Sequence, residues 1–486
     1  MTQSYDIVVL GGGIGGYSAA IRAVQLGKSV ALVEKAQLGG VCLHKGCIPS
    51  KSLLRSAEVY KTVKNSSEYG IVSADGGESV SIDFSRVQER KAGIVKQLHR
   101  GLQSLMKKYN IPVIYGTGRL TGPSIFSPQT GSVAVETPDG EIVTLTNERL
   151  ILATGSRPKS LPGLVPDGQF VLTSDEALEL EGLPSSLSIA GGGIIGVEWA
   201  SMMADFGVKV TVVEAADRLL PTEDEDISRE MASALRKRGV NIVTGAKVLP
   251  ETIRKQEAGE GGFPSRTISF EVEKDGGRTE LISAEKLLAA VGRVPNVEGL
   301  GLEAADVVID RGAIRVNGWM QTSQSHIYAV GDVAGGAMAH AAAWQAAIAV
   351  EHICGVDGAR PYDAAAVPRC VFSYPEAASI GWTEKEAKAA GISVKSAKVY
   401  FRAIGKALVQ GDAGGFVKVV VDEANHDLLG VHMIGAKVTD LIAEAALAKL
   451  LEATPWEIGA AVHPHPTLSE ALAEASMAID AVLAGR

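Results

Sequence analysis

The chain has 486 residues, 46% of them apolar and 21% charged, with a formal net charge of −9. That length exceeds one ordinary core and implies about two to four domains, while the acidic balance argues against nucleic acid and anionic membranes as partners. Four cysteines are too few for a disulfide framework and point to a reducing, cytoplasmic compartment. The opening stretch MTQSYDIVVLGGGIGG lacks a basic n-region and an unbroken apolar run, so it reads as neither signal peptide nor membrane span.

Taken in order, Tyr5–Leu10 is a β-branched apolar run that stops at Gly11, Gly12 and Gly13. Ile14–Leu26 has helical composition, Gly27 ends it, and Ser29–Val33 reads as a second buried strand closing on Glu34. The result is a βαβ unit with G-x-G-x-x-G at Gly11, Gly13 and Gly16, whose glycines let helix N–H groups face a pyrophosphate. Glu34 falls where an acid accepts from a ribose hydroxyl. The pattern recurs at Gly191, Gly193, Gly196 and Glu214, with 23 positions between first glycine and acid in both copies. Two such units imply two nucleotide-binding domains, holding two cofactors or one cofactor and a dinucleotide substrate.

Between the two lies GGVCLHKGCIPSKSLL, Gly39–Leu54, with Cys42 and Cys47 ahead of a helical segment at Ser50–Tyr60. A bridge between these cysteines would close a very small loop and constrain little of the unfolded chain. The pair is therefore either two buried structural cysteines or two thiols that open and close by exchange. A helix N-terminus beside a thiol stabilises the thiolate, which favours the second reading.

A helix is predicted over Phe84–Tyr109 and hairpins over the Gly/Pro/Ser-rich stretch Gly116–Gly131. Leu150–Pro158 (LILATGSRP) and Leu287–Val297 (LLAAVGRVPNV) read as buried strands running into loops, where the chain crosses between domains. His326–Asp332 (HIYAVGD) is a third strand-then-glycine element. Its Asp332 is either a turn residue or an acceptor for a polyhydroxyl chain. Beyond Gly355 the composition shifts to an α+β pattern, with strands at Cys370–Phe372, Val394–Phe401 and Phe416–Asp422 and helices at Glu384–Ala390, Thr439–Ala453 and Pro466–Leu483. The segment His463-Pro464-His465-Pro466 precedes the last helix, with Pro466 suited to its first position and Glu470 about one turn in. Either this is a helix start with incidental histidines, or Glu470 reaches back to orient His465 as a base. A metal site is not expected, because no third ligand is near.

Together GGVCLHKGCIPSK, the two fingerprints, ATGSRP, HIYAVGD and HPHPTLSE resemble the pyridine nucleotide–disulfide oxidoreductase family, in its dihydrolipoamide-oxidising branch. The match runs from Tyr5 to about Met477. The resemblance implies an α/β fold of two Rossmann-like dinucleotide-binding domains plus a C-terminal α+β dimerisation domain. The expected boundaries are 1–155 and 286–355 for the FAD-binding and central parts, 156–285 for the NAD-binding domain and 356–486 for the interface domain.

It further implies that Gly11, Gly13, Gly16 and Glu34 bind the ADP half of FAD. Lys51 would lie near the flavin ring and pair with Glu198. Gly116, Thr154, Gly155 and Asp332 would complete that site, with Met338, Ala339 and His340 approaching the flavin. Gly191, Gly193, Gly196, Glu214, Val248 and Gly292 would hold NAD. Cys42 would exchange with the substrate dithiol, Cys47 would face the flavin, and His465, oriented by Glu470, would be the base supplied by the partner subunit of a homodimer. The expected substrate is dihydrolipoamide carried on the lipoyl domains of a 2-oxo acid dehydrogenase complex, docked at its acyltransferase core.

A carboxylate at Glu214 repels a 2′-phosphate and favours NAD, although Arg218 stands nearby. Departures from the usual family pattern are Ile14, the shortened segment after Asp332 with Gln345 and Ala346, and the CLHKGC spelling. That spelling resembles the variant of branched-chain 2-oxo acid complexes. The competing readings are a glutathione-type or mercuric reductase within the family, and a lipoyl-binding subunit with a vestigial site outside it. No cysteine follows Cys370, which disfavours the mercuric enzyme.

Overall fold

The structure is a computed structural model and describes residues 2–71, 80–122, 132–257, 259, 266–274, 276–336 and 338–483. They fall into two compact units. The first comprises Met1–Ser52, Arg86–Lys159 and Gly292–Asp363; the second comprises Leu53–Ser85, Ser160–Val291 and Ala364–Arg486.

The first unit is built on a seven-stranded sheet in which Val113–Tyr115, Val30–Glu34, Thr2–Leu10 and Ile142–Leu152 lie side by side, followed by Val133–Glu136 and Thr117–Leu120. The first four pair in parallel, and Ile327–Ala329 adds in parallel to the end of Ile142–Leu152. A parallel sheet is covered on both faces, which is why its strands read as unbroken apolar runs rather than alternating ones. Ile7, Val8, Val9, Leu32 and Ile151 are accordingly fully buried. Helices Ile14–Gln25 and Ala339–Cys354 pack against each other through alanines, with Ala19, Ala20, Ala23, Ala346 and Ala349 fully buried. Small side chains allow that close approach.

The second unit contains a five-stranded parallel sheet in the order Asn241–Thr244, Lys209–Glu214, Ser186–Ala190, Lys286–Ala289, Val171–Leu172. It also contains a five-stranded antiparallel sheet in the order Arg369–Val371, Glu376–Gly381, Leu428–Gly435, Phe416–Asp422, Val394–Tyr400. One face of the antiparallel sheet packs under Val438–Leu450 and Glu470–Leu483 through Ile380, Val417, Val419, Val431 and Met433. No helix among the described residues is long and apolar enough to cross a membrane.

Several expectations need adjustment. The helix expected at Ser50–Tyr60 spans Cys47–Lys64 and is preceded by a short helix, Gly40–Lys45, so Cys42 is itself helical. LILATGSRP does not run straight into a loop: Ser156–Pro158 pairs antiparallel with Arg293–Pro295. The strands Glu376–Gly381 and Leu428–Gly435 and the helix Pro455–Ala460 were not read from the sequence. Both strands are small-residue or apolar runs with glycines and little alternation, which hides a strand's period of two. Of the hairpin stretch, Thr117–Leu120 pairs antiparallel with Val133–Glu136, while 123–131 lie outside the described residues.

The last helix begins at Glu470, not Pro466. The Thr467 N–H donates to Glu470 Oε2 at 2.8 Å and the Thr467 hydroxyl to the Pro464 carbonyl at 2.7 Å. These local side-chain bonds compete with helical ones and delay the helix start.

Candidate functional site

The two glycine loops are built alike. In the first, Gly11 N–H donates to the Val33 carbonyl, and in the second Gly191 N–H donates to the Val213 carbonyl, at 2.8 Å in both. The closing acids grip their own loops. Glu34 Oε2 accepts from Gly12 N–H and its Oε1 from Ala36 N–H, each at 2.7 Å. Glu214 accepts from Gly192 N–H and, at 2.7 Å, from Ala216 N–H. Sequence reasoning assigned these acids to a ribose. In the structure each acid ties the glycine turn to the strand end, and its oxygens keep lone pairs for a ligand.

A Cβ on Gly11 would lie 2.2 Å from the Ala153 carbonyl oxygen, and one on Gly196 would lie 1.9 Å from that of Gly191. Gly13 and Gly193 cap helices Ile14–Gln25 and Ile194–Asp205 without a side-chain bond. The first N–H groups of both helices are thus directed to the loop, which suits the pyrophosphate of a dinucleotide.

Further along the first unit, Gly116 takes φ +159, donates to the Glu34 carbonyl at 2.9 Å and leaves no room for a Cβ beside Glu136. Thr154 Oγ1 donates to the Asn296 carbonyl at 2.8 Å, and the Asn296 side chain donates back to the Thr154 carbonyl at 2.9 Å. Gly155 has φ +70 and its carbonyl accepts from Asn296 N–H at 2.9 Å. Asp332 accepts a short bond from the Ser156 hydroxyl, which itself accepts from Arg293 Nε at 2.7 Å. Met338 caps Ala339–Cys354, placing Ala339 and His340 in its first turn. In that shortened segment Gln345 is buried, and its Oε1 accepts from Gly331 N–H at 2.8 Å, one residue ahead of Asp332.

Cys42 sits in Gly40–Lys45, and Cys47 is the first residue of Cys47–Lys64. Both are free thiols, partly buried. The Cys42 thiol donates to the Cys47 sulfur; that bond and burial push its pKa far up, against the pull of the Lys51 ammonium. Cys47 sits at a helix N-terminus, where peptide dipoles favour a thiolate. Burial and the charge of both sulfurs raise the nearby Tyr17 phenol. The entry to the dithiol helix is pinned: His44 and His99 each bond the Leu38 carbonyl at 2.9 Å, their rings 5.1 Å apart.

In the second unit, His465 Nδ1 lies 2.7 Å from Glu470 Oε1, and the His465 side chain is 77% exposed. Its hydrogen bond to His465, and a second to the Thr467 backbone, hold the Glu470 carboxyl below the usual carboxylate range. His463 turns elsewhere, to Glu444 Oε1 at 2.7 Å and the Ala461 carbonyl at 2.9 Å. Glu198 is buried and accepts from Phe372 N–H at 2.9 Å. Arg218 is engaged by Glu225 at 2.9 Å and by the Pro221 carbonyl at 2.9 Å. Val248 ends the strand Ala246–Val248. Gly292, in the first unit, has φ +107 and accepts from Lys159 N–H at 3.0 Å.

The model for pyridine nucleotide-disulphide oxidoreductases matches residues 5–347, and the model for that family's dimerisation domain matches 367–476. This chain belongs to the pyridine nucleotide-disulphide oxidoreductases. It is 56% identical to a dihydrolipoyl dehydrogenase of Bacillus subtilis over 482 residues, 99% of each chain. It is 40% identical to a second Bacillus subtilis dihydrolipoyl dehydrogenase over 470 residues, 96% of this chain and 97% of that one. Among solved structures, LpdA of Mycobacterium tuberculosis aligns with a TM-score of 0.86 at 26% identity, covering 97% of this chain and 99% of that one.

Around the residues that the motifs singled out stand four further side chains to which sequence reasoning assigned no role. Ser156, Arg293 and Asn296 hold Thr154, Gly155 and Asp332 together, and Gln345 holds the turn before Asp332. Only the repeated plan of ATGSRP and AVGRVPN hinted at the first three. For Gln345 there was no local signal, since its partner lies fourteen residues away across a turn.

Proposed function

We propose that this chain is a dihydrolipoyl dehydrogenase, an NAD-dependent, FAD-containing enzyme that oxidises protein-bound dihydrolipoamide to lipoamide. The observation that carries the reading is the Cys42–Cys47 thiol pair at a helix start in a chain alike along its whole length to dihydrolipoyl dehydrogenases. Gly11, Gly13, Gly16, Glu34, Lys51, Gly116, Thr154, Gly155 and Asp332, with Met338–His340 and Glu198, would hold FAD. Gly191, Gly193, Gly196, Glu214, Val248 and Gly292 would hold NAD. The FAD-binding and central parts would be 1–155 and 286–355, the NAD-binding domain 156–285 and the interface domain 356–486. The dimerisation domain makes the protein a homodimer. Its further partners would be the lipoyl domains and acyltransferase core of a 2-oxo acid dehydrogenase complex, with the CLHKGC motif favouring a branched-chain one.

The thiol chemistry balances within the chain. His465 of the partner subunit, oriented by its Glu470, takes the proton from one substrate thiol. The thiolate attacks Cys42 Sγ, the Cys42–Cys47 bond breaks, and Cys47 leaves as thiolate. The second substrate thiol then attacks the substrate sulfur joined to Cys42 and passes its proton to the departing Cys42 sulfur; lipoamide is released, and the first proton leaves the imidazolium for solvent. FAD, held by the residues named above, would supply the two-electron acceptor that links the dithiol to NAD⁺.

Purified enzyme is expected to reduce NAD⁺ with dihydrolipoamide at least about a hundredfold more efficiently than NADP⁺, roughly the selectivity of 2.7 kcal/mol. Glu214 repels the 2′-phosphate, and Arg218 is already held by Glu225. Preference for NADPH and oxidised glutathione would overturn the substrate assignment. A Gly196→Ala variant is expected to raise KM for NAD⁺ by about tenfold or more, near 1.4 kcal/mol, while keeping its flavin. Its added methyl must displace the Gly191 carbonyl. An unaltered KM would show that this loop does not receive the nucleotide.

A further inference from the structure

The face of the antiparallel sheet turned away from the apolar core carries an unusual row. Register pairs Arg369 with Ser379, Ser379 with His432, His432 with Lys418, and Lys418 with Lys398. A polar side chain therefore stands at one level on all five strands, and Ser379, His432 and Lys418 are buried. Their chain neighbours Ile380, Val431, Met433, Val417 and Val419 point the other way, into the core.

Three acids from one short segment meet this row. Glu223 Oε1 lies 3.0 Å from Arg369 Nε, and Asp224 Oδ2 3.0 Å from Lys418 Nζ. Asp226 Oδ2 lies 2.9 Å from Lys418 and 2.7 Å from Lys398. Glu384 is the fourth acid of the cluster and the third carboxylate on Lys418, at 2.7 Å. Although burial opposes the charge, these carboxylates keep the Lys418 ammonium protonated beyond an ordinary lysine. Glu223 Oε2, Arg369 Nη2, Ser379 Oγ and His432 Nδ1 are buried without a hydrogen-bond partner among the described residues. Such a contact is not optimised for stability. Buried ion pairs seldom exceed apolar replacements in stability, and their best-attested use is to specify one geometry.

What this geometry fixes lies three residues upstream. Leu220 is buried yet holds φ +49, a left-handed conformation that a bulky side chain adopts only under constraint. Its N–H donates to the Gly192 carbonyl at 2.8 Å, in the second glycine loop, and its own carbonyl accepts from Ser228 Oγ at 3.1 Å and Glu223 N–H at 2.9 Å. The Leu219 side chain fills the space beside Gly192, 2.5 Å from where a Cβ would stand.

We propose that the polar row is a positioning device for nucleotide binding. It anchors Glu223–Asp226, so that the strained Leu220 holds the Gly192 loop in the shape that receives NAD⁺. Arg369, Lys418 and their acids are thus positioning residues that touch no reactant. The proposal rests on the reading of Gly191–Gly196 and Glu214 as the NAD site.

The test uses the FAD-loaded dimer carrying Arg369→Met, Arg369→Lys or Glu223→Gln, with Glu214→Gln as reference. Steady-state kinetics give KM for NAD⁺ and kcat. Anaerobic bleaching of the flavin by dihydrolipoamide, without NAD⁺, reports the dithiol half-reaction. Arg369→Met and Glu223→Gln are expected to raise KM for NAD⁺ about tenfold with kcat and flavin bleaching within about twofold, and Arg369→Lys to recover most of the loss. Folded variants with unaltered KM, or an equal decline in both half-reactions, would overturn the proposal. If Glu214→Gln also leaves KM unaltered, the NAD-site reading has failed. If only Glu214→Gln raises it, the positioning role alone has failed.

Discussion

A Cys47→Ser enzyme is expected to keep its FAD and its affinity for NAD⁺, yet to lose dihydrolipoamide-dependent NAD⁺ reduction by about 10⁴-fold or more, the scale on which removal of a covalent nucleophile is felt. The reason is the division of labour between the two sulfurs. Its hydrogen bond to Cys47 and its burial raise the Cys42 thiol. Cys47 stands at the first position of an 18-residue helix, where peptide dipoles favour a thiolate. A serine there occupies nearly the same volume, but its alkoxide is far too basic to leave from a mixed bond or to hold electrons beside a flavin. No disulfide can form, so exchange with the substrate stops at its first step. Stopped-flow mixing with dihydrolipoamide should show no flavin bleaching while the oxidised flavin spectrum is unchanged. Turnover within about tenfold of the parent would mean that electrons reach the flavin by another route.

The second large effect concerns the base. Replacing His465 with Asn is expected to slow thiol–disulfide exchange by about 10²- to 10⁴-fold, the usual contribution of a positioned acid–base group. Glu470→Gln should cost less, about 10- to 100-fold. Glu470 is held below the usual carboxylate range by its bond to His465 and the Thr467 N–H, so it is ionised wherever the imidazole titrates. An ionised partner stabilises the imidazolium that forms when the substrate proton is taken. With glutamine in its place the imidazolium formed during proton transfer loses that support, so the rate of exchange falls. The sign for the carboxylate itself follows from its depressed value. Its pairing is fully present above the ordinary glutamate range, near 4.3, and is lost as pH falls through the folded value. Exchange at the parent rate in Glu470→Gln would remove Glu470 from the role of orienting partner. The side chain of His465 is open to solvent within the single chain, which the proposed role at a partner's site requires.

Much of this was legible because the chemistry is written in short segments whose backbone demands are severe. Gly11, Gly16, Gly191 and Gly196 leave no room for a Cβ, so the glycines announce themselves in any reading. Cys42 and Cys47 are separated by one short helix and Gly46, and His465 reaches Glu470 within a single local turn. Each of these sites forms within a few consecutive residues, and residue type plus spacing suffices to see them. The start of the last helix was misplaced for the same local reason, since Thr467 can bond its neighbours as readily as it can enter a helix.

Other features exist only because distant segments meet. Asp332 acquires Ser156 and Arg293 through the pairing of two three-residue strands that no periodicity could reveal. Gln345 supports the turn at Gly331 from within the helix Ala339–Cys354. The row Arg369–Ser379–His432–Lys418–Lys398 depends on the register of five strands, two of which carry no alternating pattern. A shift of one residue in any strand would turn its member of the row into the apolar core. The sequence by itself therefore determined the two glycine loops, the Cys42–Cys47 pair and the His465–Glu470 contact. Only tertiary structure decided what braces them, because a brace requires a partner whose nearness is set by strand register and packing rather than by position along the chain.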